Sequence, residues 1–147
     1  MKTEVVVNNV PIAGPYSQAV SLGDFLFVSG QIGIDAKTNN LVEGIKEQVV
    51  QTLENLKTVL KAADSDINNI VKTTVYLSDM NNFPVMNEIY ATYFKKPYPA
   101  RATIAVVKLP KGALVEIDCI AYKDYSPKCC KTDGEGYCGG NGHHGHK

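Results

Sequence analysis

Two charged side chains stand inside runs that otherwise read as sheet interior, and they restrict the possible folds of this chain more than any other feature. Arg101 follows Tyr98-Pro99-Ala100 at the head of the run 102–107, whose Thr, Ile and Val content predicts a buried strand. Glu116 lies between Val115 and Ile117 in a second apolar strand, 114–122, reached through Lys108-Leu109-Pro110-Lys111-Gly112. A guanidinium is costly to bury alone, so Arg101 needs an anion, either a protein carboxylate or one on a ligand. The two charges form a structural pair or mark a site. A simple hairpin turning at Pro110-Lys111 would put Ala105 opposite Glu116 and leave Arg101 about 13 Å away at the usual strand rise. A direct pair fails in that geometry. Either the two strands are not neighbours, or the charges meet across a subunit boundary, where symmetry brings distant parts of one sequence together.

The remaining chain supplies a scaffold. A short β-branched run at 5–7 gives way to Pro11 and Gly14-Pro15, which punctuate an irregular segment. The runs 16–22 and 25–28 flank Gly23-Asp24 and predict a hairpin. Ser29-Gly30-Gln31 then interrupts the second strand, which predicts a bulge or a close approach of the backbone, a place where a ligand could touch main chain. Ile45, Val49, Leu53, Leu56, Leu60 and Ala63 recur at helical spacing over about 42–63. A β-branched strand at 70–77 follows. The capping residues of 79–82 and Pro84 then open a second helix with the stripe Phe83, Met86, Tyr90 and Tyr93 or Phe94, ending before Pro97. Asn87 either is an exposed helix residue or points its amide toward Arg101. This order predicts an α+β layer, a mixed sheet with both helices on one face. The other face would carry Val, Ile and Phe, too much apolar area for a monomer, which predicts an oligomer.

Composition narrows the function. A chain of 147 residues is one domain by length, and fifteen basic against fifteen acidic residues leave no charge surplus for nucleic acid or an anionic membrane. A small neutral or compact anionic ligand is the expected partner. No apolar run reaches membrane-span length, and the first residues do not resemble a signal peptide, so a cytoplasmic location is expected. The three histidines are His143, His144 and His146. The body thus offers no imidazole base, and Cys119, set in an apolar strand, has no His to pair with. Any catalysis must rest on Arg, Glu, Tyr, Ser, backbone and water.

The motifs Gly14-Pro15-Tyr16-Ser17-Gln18-Ala19, Ser29-Gly30-Gln31-Ile32, Val71 to Leu77, Pro99-Ala100-Arg101-Ala102, Leu109-Pro110 and Val115-Glu116-Ile117 together resemble the Rid family (the RidA/YjgF group) of reactive-intermediate deaminases. The resemblance covers about 5–122. It implies a chorismate-mutase-like fold assembled as a homotrimer with active sites at the subunit interfaces. The implied reaction is hydrolysis of 2-imino acids and enamines, such as 2-aminoacrylate, 2-iminopropanoate and 2-iminobutanoate, to 2-keto acids and ammonia, which protects pyridoxal-phosphate enzymes. By the same resemblance Arg101 clamps the substrate carboxylate and Glu116 orients water, while Tyr16, Ser29, Gly30, Asn87 and Thr103 line the pocket. Thr103 stands where some relatives carry cysteine, so thiol chemistry there does not carry over. No cofactor is implied, since a protonated imine is already electrophilic and needs only a positioned water.

The chain departs from the family near its end. A deaminase domain at 1–124 is followed by a segment at 125–147 whose last twenty residues hold three Cys, three His and six Gly, with little apolar side chain to bury. A flexible tail is expected there. Cys129, Cys130, Cys138, His143, His144 and His146 are soft ligands suited to zinc, copper(I) or nickel, though their spacing matches no zinc ribbon or finger. Beside the enzymatic reading stand a non-catalytic ligand-binding or interaction protein on the same scaffold, and metal handling by the tail.

Overall fold

The apolar stripe of the long helix organises the fold seen in the computed structural model, which describes residues 1–8, 10 and 12–124. Helix α1 spans Ile45–Ala62 and buries Val49, Leu53, Leu56, Val59 and Leu60. Burial of each such leucine contributes about 1.5–3 kcal/mol. The helix begins at Ile45 and not at 42 because Gly44 sits at φ 90°, and the Val42 amide donates to Gly33 O at 2.9 Å. Glu47 in the first turn and Lys61 in the last complement the helix dipole, and Asp64 at φ 56° ends the run in the left-handed region.

The stripe packs on a six-stranded sheet. Its strands are β1 (Thr3–Val5), β2 (Ala19–Leu22), β3 (Phe25–Ile32), β6 (Ile70–Leu77), β7 (Ala100–Ala105) and β8 (Val115–Tyr122), in the order β1-β2-β3-β8-β6-β7. Two short strands, β4 (Ile34–Asp35) and β5 (Asn40–Leu41), pair apart from it. The β2–β3 hairpin turns at Gly23, φ 58°, with Leu22 opposite Phe25, as the Gly-Asp pair predicts. Every neighbour in the large sheet is antiparallel except β6 with β7. Parallel pairing needs a crossover, and helix α2 (Phe83–Tyr93) supplies it. A 3₁₀ turn at Met80–Asn82 leads into α2, with the Asp79 carboxylate accepting from the Asn81 amide at 2.9 Å.

Both helices cover one face. There Leu26, Val28, Val75, Leu77, Val115, Ile117, Cys119 and Ala121 meet the stripe of α1, with Met86 and Tyr90 of α2. Among the described residues no helix is long and apolar enough to cross a membrane.

Two expectations need correction. The first strand of the hairpin starts at Ala19 and not at 16, because Ser17 and Gln18 spend their carbonyls on the β3 bulge: Ser29 Oγ donates to Ser17 O at 2.6 Å and Ser29 N to Gln18 O at 2.9 Å. The run 102–107 is not a buried strand. β7 is the sheet's edge, ends at Ala105, and is exposed except at half-buried Thr103, since β-branched content reports fit to a pleated surface and not coverage. The open face carries apolar side chains as expected, Leu22, Phe25, Phe27, Ile104 and Tyr122 being 51, 51, 44, 45 and 41% exposed, with Thr74, Tyr76, Glu116 and Asp118 alternating onto the same side.

Candidate active site

Glu116 owes its setting to the bulge in β3. The β3–β8 ladder slips between Val28 and Gln31. Besides the two Ser29 bonds, the Gln31 amide holds the slip by donating from Nε2 to Ser29 O and to Gln18 Oε1, both at 3.1 Å. Gly30, at its centre, brings main chain against the Glu116 carboxylate, so that a Cβ there would stand 2.6 Å from Oε1. Only glycine permits that approach. The start of β8 is fixed from the other side, where buried Gln48 of α1 accepts the Leu114 amide at 2.8 Å. A groove of about 280 Å³ opens over this region, lined among others by Tyr16, Gln18, Gly30, Gln31, Lys111 and Glu116.

Glu116 is half-buried. Burial first, and then the charge of Asp118, push its carboxyl above the usual value. Asp118 itself accepts a hydrogen bond from Tyr76 Oη at 2.9 Å. A carboxyl displaced toward neutrality beside main-chain amides can hold a water and exchange a proton with it.

Arg101 is placed by α2. Phe83, Asn87 and Tyr90 share one face of that helix by their spacing, and all three meet the guanidinium. Its Nη2 donates to Asn87 Oδ1 at 2.8 Å, and its carbon lies 4.7 Å from the Tyr90 ring centroid and 5.7 Å from that of Phe83. The pair of Lys57 with Glu54 is the one salt bridge among the described residues, so Arg101 faces no carboxylate among them. Exposed, charged and held in one orientation, it is arranged to bind an anion from outside.

The two charges do not meet within the chain. β6 lies between β7 and β8, so about 10 Å of strand spacing separates them. They also face opposite ways: Arg101 shares the covered side with its partner Thr73, whereas Glu116 pairs with Tyr76 on the open side. The structural Arg101–Glu116 pair is therefore not formed. Of the other candidates, Tyr16 and Gly30 line the groove with Glu116, Ser29 stabilises the bulge, and Asn87 touches Arg101. The Thr103 hydroxyl, two residues from Arg101, is buried with no partner among the described residues. Cys119 is buried and its thiol is pushed up to about 12, first by burial and then by Asp118, which leaves it inert.

Sequence reasoning missed Gln18, Gln31, Gln48 and the use of Phe83 and Tyr90 at Arg101. The last was recoverable, since positions 83, 87 and 90 are i, i+4 and i+7 and must share a face. The glutamine contacts cross between elements and have no local signature. Among the described residues no three metal-ligating side chains gather, and Cys129, Cys130, Cys138, His143, His144 and His146 lie outside them.

Comparison with known proteins finds relatives that span nearly all of the described residues. The profile of the family described as endoribonuclease L-PSP matches residues 7–123. A RutC family protein of Pyrococcus horikoshii is 52% identical over 126 residues, covering 84% of this chain and all of the relative. The mouse protein named 2-iminobutanoate/2-iminopropanoate deaminase is 52% identical over 109 residues, 74% of this chain and 81% of its own. A solved structure of a Rid family protein from Yersinia pestis, of unknown function, superposes with a TM-score of 0.80 at 46% identity, covering 83% of this chain and 99% of that one.

Proposed function

Because the chain belongs to the endoribonuclease L-PSP family, which is the YjgF/Rid family, we propose that it hydrolyses 2-imino acids to 2-keto acids and ammonia, as the name of its mouse relative states for that protein. The observation that carries the reading is Arg101, a fixed and exposed guanidinium with no carboxylate partner among the described residues. A 2-imino acid supplies that carboxylate. With the carboxylate gripped, the adjacent C=N carbon is presented to a water held by Glu116. The water oxygen adds to the carbon of the protonated imine while the C=N electron pair moves onto nitrogen, and the carboxylate takes the water proton. Glu116 returns that proton to the carbinolamine nitrogen, and as the hydroxyl gives up its proton to the carboxylate the C–N bond breaks, leaving the keto acid and ammonia. Tyr16 and Gly30 shape the groove, Asn87 steers Arg101, and Ser29 and Thr103 complete the pocket wall. Such an activity belongs in the cytoplasm, beside the pyridoxal-phosphate enzymes whose dehydrations release enamines.

The test generates imine in place with an amino-acid oxidase or threonine dehydratase. Keto acid release should accelerate with added protein, while RNA incubated with the same preparation stays intact. No acceleration would favour a non-catalytic ligand-binding role on the same scaffold, and cleaved RNA the activity in the family's description.

The opposed placement of Arg101 and Glu116 supports a site shared between copies, Arg101 from one chain facing Glu116 of the next. A homotrimer with three such clefts is part of this proposal, the half-exposed Phe25, Phe27 and Ile104 being the surface a neighbour would cover. Sedimentation should give three times 16.0 kDa. The proposal also keeps 1–124 as the deaminase body and 125–147 as an appendage. A chain cut after Pro127 should remain trimeric and active and lose the uptake of zinc or copper(I) expected of the Cys/His segment. An active monomer would refute the shared site, and loss of activity on truncation would refute the division.

A further inference from the structure

We propose that Tyr90 is a positioning residue for the deaminase reaction, holding the Arg101 guanidinium in the plane in which it grips the substrate carboxylate. The inference rests on the deaminase reading and deepens it.

Tyr90 is itself immobilised. It is 6% exposed, its ring packs against Phe94 at a centroid distance of 4.4 Å, and its hydroxyl lies 2.8 Å from Thr73 Oγ1. Thr73, fully buried in β6, is the strand partner of Arg101. The helix residue is thus tied to the strand position directly beside the arginine it supports. Against this fixed ring stands the guanidinium, 4.7 Å from the centroid and within the range of a cation–π contact. Asn87 takes one N–H in the guanidinium plane at 2.8 Å. The ring restricts tilt and the amide restricts rotation within the plane. Of the five N–H donors of an arginine, those not engaged by Asn87 remain as a fork for a carboxylate.

Nothing else on β7 performs this task. It is an edge strand with mostly exposed side chains, and a long side chain there would otherwise sample many rotamers, lost on each binding event. A merely space-filling Tyr90 needs no bond to Thr73 and no cation on its face.

The experiment measures binding of 2-oxobutanoate, the stable keto acid product, by calorimetry on the intact protein, together with kcat/KM for imine hydrolysis. Tyr90→Leu should weaken binding by about tenfold, the range of a lost cation–π contact and a misoriented clamp. Tyr90→Phe and Thr73→Val, which keep a ring or its contact but remove the hydroxyl bond, should each weaken it by about two- to fourfold. In an Arg101→Ala background Tyr90→Leu should add nothing. Unchanged affinity in Tyr90→Leu, with Arg101→Ala defective, overturns the inference and leaves the deaminase reading standing. So does an equal loss in both backgrounds, which would mean that Tyr90 acts through the fold alone. Full binding by Arg101→Ala removes the clamp, and the inference with it. If Tyr90→Leu does not fold, the two milder variants decide, and wild-type affinity in both overturns the inference.

Discussion

Replacement of Arg101 by alanine should reduce imine hydrolysis by on the order of 100-fold in kcat/KM, the loss expected for a charge-assisted, two-pronged contact worth a few kcal/mol. The reason lies in the site's construction: Asn87, Tyr90 and Phe83 hold the guanidinium without neutralising it, and in the proposed reaction the substrate carboxylate supplies its anion. Arg101→Lys should recover little, because an ammonium keeps the charge but not the planar fork. Both variants should fold as the parent does, since the side chain is exposed at the sheet edge. The check is keto acid release with imine generated in place. A rate equal to the parent's in Arg101→Ala would exclude the clamp.

Glu116→Gln should separate activity from stability. Removing the group that takes the water's proton should cost on the order of 100-fold or more in rate. Stability should move the other way. In the folded chain the carboxyl is raised above its usual value by burial and by Asp118, so folding favours the protonated form. That contribution is fully present below the unfolded-state value and is lost as pH rises through the raised one. Above that raised value the parent buries an ionised carboxylate that the amide variant does not. Glu116→Gln should melt higher than the parent at pH 7, with the gap closing as pH falls below the ordinary carboxylate range. Thermal denaturation across pH checks this. A variant less stable than the parent at pH 7 would mean that Arg101 of a neighbouring copy pairs with Glu116 in the assembled protein before substrate binds.

Much of the scaffold was legible because it is periodic. The stripe of α1, the β-branched run of β6 and the Gly23-Asp24 reversal each follow from neighbours a few residues apart, where local geometry and side-chain spacing dictate the element. The bulge was legible at Gly30, because a glycine inside a strand must answer to something nearby. What it answers to, the Glu116 carboxylate, comes from a strand on the other side of the chain's two helices. Coverage was not legible: β7 has the composition of an interior strand and lies at an edge, because no local pattern encodes which strands flank a given one.

By itself the sequence determined which groups are available for chemistry. It placed Arg101 and Glu116 inside apolar strands, kept imidazole out of the body, and set Phe83, Asn87 and Tyr90 on one helical face. The tertiary structure alone decided how they are combined. Inserting β6 between β7 and β8 separates Arg101 from Glu116, and the strict alternation of side chains along paired strands turns them to opposite faces. Strand order is a long-range outcome of packing and side-chain parity a local one. Only their combination turns the two charged side chains of one chain apart.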